Sequence, residues 1–501
     1  MENNNDQPVM INPNVEQQPA PAVVEQKTEN VVQVSNNTKD GQRKCPNCGA
    51  SEIVPNPKTG KLKCNYCGIE FDGAALQGLE KDITKLKGRT MGKGTSAIKA
   101  DVNDVITMRC GGCGAEVVID TASAPHARCH WCRSILSVNS QIENGAIPDA
   151  ILPFKTTKEE ARKKIEEFVG KRKFFAHPQF QKEFTTENIM GVYFPYLLVD
   201  ANAHASFEGE GEHLVRQYTV GSDDHKETRY DADAYHVKRD FDIAIQGLTI
   251  ESNSTRLDKS SNEQTNNIIN AVMPFDTENC IQYESNYLVG YTSERRDVNV
   301  EEIEAKVEKQ LKDVSRFAIR SDLKFYDRGL SWKREDFKVE GSQWIAAYLP
   351  VWLYSYLQVK GNSKILHYVA VNARTNETMG SVPINQGKLI FVSFLVEILC
   401  AILSFVIAFA SDEDGQGGFL FLLGGIIFYA IMYARYRNKG ARHTYERETK
   451  NQMNNIQRVD ELIEHRKGLR YSQIENRNDN NIEGESMGLQ EKLLNQIKNR
   501  I

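Results

Sequence analysis

Two matched sets of cysteines near the start of the chain constrain its fold more than any other feature. Cys45, Cys48, Cys64 and Cys67, then Cys110, Cys113, Cys129 and Cys132, both read C-x2-C-x15-C-x2-C. This is the spacing of a zinc ribbon, in which two knuckles each offer a thiolate pair to one tetrahedral Zn²⁺. A knuckle turns sharply, and a glycine after its second cysteine accepts the positive φ that the turn needs. Gly49, Gly68 and Gly114 occupy that place, whereas the fourth knuckle has Arg133 and is expected to be less regular. His126 and His130 lie close enough to compete as ligands, but four thiolates leave them no vacancy. With every position filled by protein, both sites read as structural, since a catalytic zinc keeps one position open. Disulfides within each tetrad are the alternative; they need an oxidising space, and the opening of the chain does not read as a secretory leader.

The chain has 501 residues, room for several domains, and a net charge of -5 that exerts no general pull on nucleic acid. Residues 1–42 are rich in Asn, Gln, Pro and Val and read as a disordered tail. Near the other end, Leu389 to Ala410 and Gly417 to Ala434 are apolar runs in a chain whose mean hydropathy is -0.50. Each is long enough to cross a hydrocarbon core about 30 Å thick, so residues 389–434 are expected to form a two-helix transmembrane hairpin. The short acidic loop Ser411 to Gln416 lacks basic residues, while Lys388, Arg435, Arg437, Lys439 and Arg442 flank the runs. The positive-inside rule then places both termini in the cytoplasm, which agrees with the reducing compartment that paired thiolates need. Glu397 falls mid-span and is expected to be protonated or hydrogen-bonded at a helix contact, with Gly424 and Gly425 allowing close approach.

Between these landmarks the expected domains are ribbon 1 over 43–80, a linker over 81–105, ribbon 2 over 106–140 and an α+β cytoplasmic domain over 147–387. In the linker, Gly88 to Thr95 imitates a phosphate loop but is one residue short, has Gly94 where Ser or Thr would hold Mg²⁺, and follows no apolar strand. The α+β domain shows a possible diverged repeat. A charged helix over Thr157 to Phe168 precedes Tyr193-Phe194-Pro195, and another from Val300 precedes Tyr348-Leu349-Pro350. Each proline is expected at a strand start or edge. Alternation at Tyr235, Val237, Phe241, Ile243 and Ile245, and again over His367 to Val371, adds strands; Trp344, Tyr348, Trp352, Tyr354 and Tyr356 read as core. No catalytic motif is found, and the Asp and His residues between His204 and Asp242 suit solvated strand faces better than a metal site. Residues 435–501 are expected to be a charged helical tail, with a short seam at Met453, Ile456, Val459 and Ile463 and a stronger one at Leu489, Leu493, Leu494, Ile497 and Ile501.

In this combination the chain resembles bacterial transcription factor IIB-type zinc-ribbon membrane proteins. The resemblance rests on the tetrads, on Ile151-Leu152-Pro153-Phe154-Lys155, Gly191-Val192-Tyr193-Phe194-Pro195 and Tyr348-Leu349-Pro350-Val351-Trp352-Leu353, and on the apolar runs. It is similar to the membrane-anchor component of a phage-shock-type operon, which implies partners akin to phage-shock protein A or to flotillin-like (SPFH) proteins. Two ribbons and a long tail depart from that pattern. The expected function is a non-enzymatic, membrane-anchored adaptor with two structural Zn²⁺, in contact with membrane lipid and acting in envelope stress. Nucleic-acid binding by the ribbons, with Tyr66 and Trp131 stacking on bases, is the rival; its basic and acidic residues nearly balance. A small transporter or channel subunit would rest on Glu397 alone.

Overall fold

The computed structural model describes residues 29–34, 43–96, 105–120, 127–137, 141–142, 144, 147–221, 227–254, 268–360, 363–410, 423–437 and 444–470. Four long strands form its frame: β1 (Met190–Val220), β2 (Glu227–Glu251), β3 (Gly329–Lys360) and β4 (Lys450–Arg470). They run antiparallel in the order β3-β1-β2-β4. Burial changes along β1 in step with its sequence. From Val192 to Val199 every residue is buried, even-numbered side chains in one core and odd-numbered in others; both sheet faces are covered there, which is why the sequence is an unbroken apolar run. Beyond Asp200 the pattern alternates, with Ala201, Ala203, Ala205 and Phe207 buried and His204, Ser206 and Glu208 on the open face. Four helices complete the frame: α1 (Lys158–Gly170), α2 (Val300–Ala318), α3 (Gln386–Ala410) and α4 (Gly424–Arg437). Helix α2 covers the inner face of the alternating stretch with Val300, Ile303, Val307, Leu311 and Val314, one stripe at helical spacing.

The two Tyr-x-Pro segments face each other. Tyr193 pairs with Pro350 and Pro195 with Tyr348, so the β1–β3 ladder has a local two-fold about Phe194 and Leu349. The relation extends outward. Strand Thr292–Glu294 runs parallel to β1 at Val192 and Tyr193, and Ala150–Ile151 runs parallel to β3 at Ala347 and Tyr348. Each short strand is followed by a helix opened by reciprocal capping: Thr157 with Glu160 before α1, Asn299 with Glu302 before α2. Both prolines are central, not at a strand start or sheet edge. Each sits where the strand exchanges one partner for another on its far side: β1 passes from Thr292–Glu294 to β2 at Tyr196, and β3 from Ala150–Ile151 to Ser363–Asn372 at Val351. A missing N–H costs no ladder bond at such a handover.

Four further expectations are corrected here. The segment read as linker contributes strand Gly88–Gly92, parallel to β3 at Gly341 to Trp344, and a turn of helix, Lys93–Ser96. Its glycines serve close packing: a Cβ on Gly92 or Gly94 would collide with Asp149 or with the Ile147 carbonyl. Asp149 is buried and accepts hydrogen bonds from Gly94 N (2.6 Å), Thr95 Oγ1 (2.6 Å) and Ala346 N (3.2 Å). Burial pushes its carboxyl above the usual aspartate range. Arg296, also buried, donates to the Gly94 and Thr95 carbonyls. The tail read as disordered contributes strand Glu29–Val32, which lies parallel to Gly88–Gly92.

The tail read as helical contributes β4, an edge strand on β2. Its spacing at Met453, Ile456, Val459 and Ile463 suits a helix, but the neighbouring ladder outweighs that weak local preference. The seam at Leu489 to Ile501 lies outside the described residues. Among the described residues one helix, α3, is long and apolar enough to cross a membrane. The second apolar run appears as α4, 14 residues and so about 21 Å at 1.5 Å per residue; that is short of a bilayer core, and residues 411–422 lie outside the described chain. The expected pair of full spans is therefore one spanning-length helix with a shorter companion. Gly425 N donates to Glu397 Oε2 (2.6 Å), and Cβ atoms on Gly424 or Gly425 would collide with Cys400, Ser393 and Glu397.

Asp149→Ala leaves Gly94 N and Thr95 Oγ1 without their acceptor, while Ala346 N keeps Thr95 Oγ1 at 2.7 Å, and it removes one of the carboxylates that balance Arg296. It should destabilise the chain by about 2 to 3 kcal/mol and release the segment Gly88–Ser96, a latch held against β3, read as new limited-proteolysis cuts between Gly92 and Ser96. Cutting no faster than in the parent chain would show that the latch does not depend on Asp149.

Candidate metal centres

All eight predicted ligands come together as two clusters, Cys45, Cys48, Cys64, Cys67 and Cys110, Cys113, Cys129, Cys132, each with its sulfurs within 4.8 Å of one another. Sγ separations of 3.6 Å (Cys45 to Cys67), 3.7 Å (Cys48 to Cys64), 3.3 Å (Cys110 to Cys132) and 3.6 Å (Cys113 to Cys129) approach the roughly 3.8 Å edge of a tetrahedron with 2.3 Å metal–sulfur bonds. The donor set and its size fit a soft, tetrahedral ion, Zn²⁺ foremost.

All four knuckles have the same backbone. In each, the N–H of the residue after the second cysteine donates to the first cysteine's carbonyl: Gly49 to Cys45, Gly68 to Cys64, Gly114 to Cys110 and Arg133 to Cys129, all at 2.8 to 2.9 Å. The φ angles are +72°, +76°, +80° and, at Arg133, +65°. The fourth knuckle is thus as regular as the others despite lacking glycine. The left-handed conformation costs an L-residue about 1 to 2 kcal/mol. Here the Arg133 side chain offsets it, donating to the Ser355 carbonyl and lying 4.6 Å from the centroid of the Tyr354 ring.

The same knuckle is driven into the main core. Trp131 and His130 are buried; Trp131 Nε1 donates to Glu294 Oε1 (2.6 Å), Ser355 Oγ donates to the His130 carbonyl (2.6 Å), and the His130 ring lies 3.1 Å from Thr292 Oγ1. Trp131 packs edge-on against Phe194 and Tyr368. His130 is thus a core residue with its own partners and no zinc ligand, while His126 lies outside the described residues. Strand Glu116–Asp120 continues the main sheet by pairing with Thr292–Glu294. Ribbon 2 is therefore part of the large domain and no separate module.

Ribbon 1 is different. Its strands Ile53–Pro55, Leu62–Cys64 and Glu70–Phe71 form their own three-stranded sheet. It joins the domain through Arg43, which binds Asn286 and Glu284, through Gly73 beneath Ile281 and Tyr287, and through Cys45, Ile53, Leu62 and Cys64, which are buried in the cluster that holds Phe154 and Tyr287. Cys48 and Cys67 are exposed, and Tyr66 at the knuckle tip is 82% exposed.

The other sequence candidates fall elsewhere. Trp344, Tyr348, Trp352, Tyr354 and Tyr356 are core, all at most 5% exposed. His204 pairs with Asp242 (2.8 Å), His236 with Glu208 and Arg216 with Asp231 across the long strands, so these polar residues form cross-strand ladders. Sequence reasoning missed Glu294, Thr292 and Ser355, which grip the fourth knuckle; no local pattern marks residues that act from more than 150 positions away.

No family model and no solved structure matches the chain. Over 241 residues it is 22% identical to a Bacillus subtilis (strain 168) protein described as uncharacterized protein YdjG. That stretch is 48% of this chain and 65% of the relative.

The full chain should carry about two Zn²⁺. Cys67→Ser and Cys129→Ser should each leave about one, measured by metal analysis of the solubilised protein. Cys129→Ser should also lower stability to denaturant by about 3 kcal/mol, the scale of losing a large core side chain, with Cys67→Ser well below that. Equal losses would contradict the contrast between buried Cys129 and exposed Cys67.

Proposed function

We propose that the chain is a membrane-anchored, non-enzymatic adaptor that displays ribbon 1 to protein partners at the cytoplasmic face. The observation that carries this reading is the anchoring helix. Along α3, Phe391, Phe394, Leu399 and Phe405 are each more than 60% exposed, an outlay of apolar surface that water opposes and a bilayer accommodates. The helix is tied to the domain: Val382 N, just before it, donates to the Tyr436 carbonyl at the end of α4 (2.9 Å). This contact sets the end of α4 beside the start of α3, and Lys388, Arg435 and Arg437 at that end favour the cytoplasm. Four-thiolate centres suit structure over catalysis. By resemblance, the partners are phage-shock protein A-like or flotillin-like proteins, in envelope stress.

The rivals lose support from particular residues. Trp131 is buried and hydrogen-bonded, so of the two aromatics considered for base stacking only Tyr66 is available. Glu397, on which a transport role would rest, is occupied in holding the first turn of α4.

A photo-crosslinking amino acid at Tyr66 of the full chain, activated in intact membranes, tests the reading. The expected product is a discrete protein adduct, identified by mass spectrometry as one of those two partner classes. Adducts with nucleic acid, together with salt-sensitive DNA or RNA binding by the purified chain, would overturn it.

A further inference from the structure

Where α3 and α4 leave the sheet domain, three segments distant in sequence meet. The turn after α1, Lys171 to Ala176, packs against the start of α3 and the end of α4. Phe175 is buried edge-on against Phe428 and Tyr436; its N–H donates to Tyr436 Oη (3.0 Å), and its carbonyl accepts from Asn385 N (2.8 Å). Arg172 Nε donates to the Arg435 carbonyl (3.1 Å) while its guanidinium lies over Phe168. Lys388 Nζ donates to the Phe174 carbonyl (2.8 Å) and sits 3.8 Å from the centroid of the Phe174 ring.

The charges in this collar are one-sided. Lys171 is paired with Glu167, but Arg172, Lys173, Lys388, Arg435 and Arg437 form no ion pair with any described carboxylate. Burial and the nearby Arg435 hold Arg172 down at about 10, the direction expected of a cation that faces another cation. Beside these charges Phe174 stands 60% exposed under Lys388, which precedes the exposed apolar residues Ile390 and Phe391 of α3. Unpaired cations beside an outward aromatic, at the root of an apolar helix, match the boundary between anionic headgroups and acyl chains. A small soluble anion would satisfy the cations but leave Phe174 and the helix root in water.

We propose that this collar is a binding surface for the anionic phospholipids of the membrane that α3 enters, with Lys171 to Phe174 dipping into the headgroup layer. The proposal rests on the anchoring role given above. It makes the α1 turn, far from either apolar run in sequence, a second membrane contact that holds the domain in one orientation.

The test uses the full chain reconstituted in vesicles of phosphatidylcholine alone or mixed with phosphatidylglycerol, then extracted and examined by native mass spectrometry for retained lipid. The parent chain should retain phosphatidylglycerol in preference to phosphatidylcholine. Lys173→Gln, which changes an exposed side chain without an ion pair, should cut that preference about fivefold, the equivalent of about 1 kcal/mol for one basic residue at an anionic surface. Lys173→Arg should restore it, and Lys163→Gln, on exposed α1, should leave it unchanged. Retained zinc shows that each variant is folded. Equal retention of both lipids by the parent, an unaltered preference in Lys173→Gln, or displacement of the lipid by inorganic phosphate would each overturn the collar. Alkaline carbonate separates the two readings: a chain that stays in the membrane without lipid preference defeats the collar alone, and a chain that washes off defeats the anchor.

Discussion

The antiparallel pairing of β1 with β3 around Phe194 and Leu349 is the interaction on which the rest of the molecule depends. Strand β2, the strand Gly88–Gly92 and the short strands Thr292–Glu294 and Ala150–Ile151 all pair directly with one of its two strands, and β4 is added through β2. Even-numbered residues of β1 meet ribbon 2, while odd-numbered ones meet the α1 and α2 sides. The latch segment and the two short parallel strands use the remaining ladder positions. Burial on both faces makes the ladder strong, and it leaves little tolerance for change in what packs there.

This dependence ties metal to fold. A zinc site in an isolated ribbon organises only its own few residues. The second tetrad instead holds a knuckle whose Trp131, His130 and Arg133 reach into the main core, so thiolate geometry and domain packing constrain each other. Arg133 shows the exchange in one residue: its backbone is strained in the turn, and its side chain recovers the cost by binding Ser355 and Tyr354. The first tetrad keeps a small sheet of its own, with Cys45, Ile53, Leu62 and Cys64 buried in the cluster that holds Phe154 and Tyr193, while its tip at Tyr66 is exposed.

Particular residues show how much was legible. The ligand sets could be read directly, because both knuckles of a ribbon are local and their spacing is dictated by one ion. The aromatic core of β3 and the helices α1 and α2 were legible because periodicity and capping are local signals. The 81–105 segment was misread because Gly and Lys resemble a linker; its glycines are there so that the backbone can approach Asp149 and β3. β4 was misread because its sparse apolar spacing suits a helix, and only the exposed edge of β2 makes it a strand.

By itself the sequence determined two four-thiolate metal sites, an apolar helix of spanning length, and a mixed helix and strand domain built on matching Tyr-x-Pro segments. The physical reason is that metal spacing, hydrophobic length and capping all act within a few turns of chain. Tertiary structure alone decided that the second ribbon continues the main sheet while the first keeps a sheet of its own, that a linker is a strand, and that Lys173 and Phe174 stand beside the start of α3. Those outcomes depend on contacts between residues a hundred or more positions apart, for which one sequence carries no local sign.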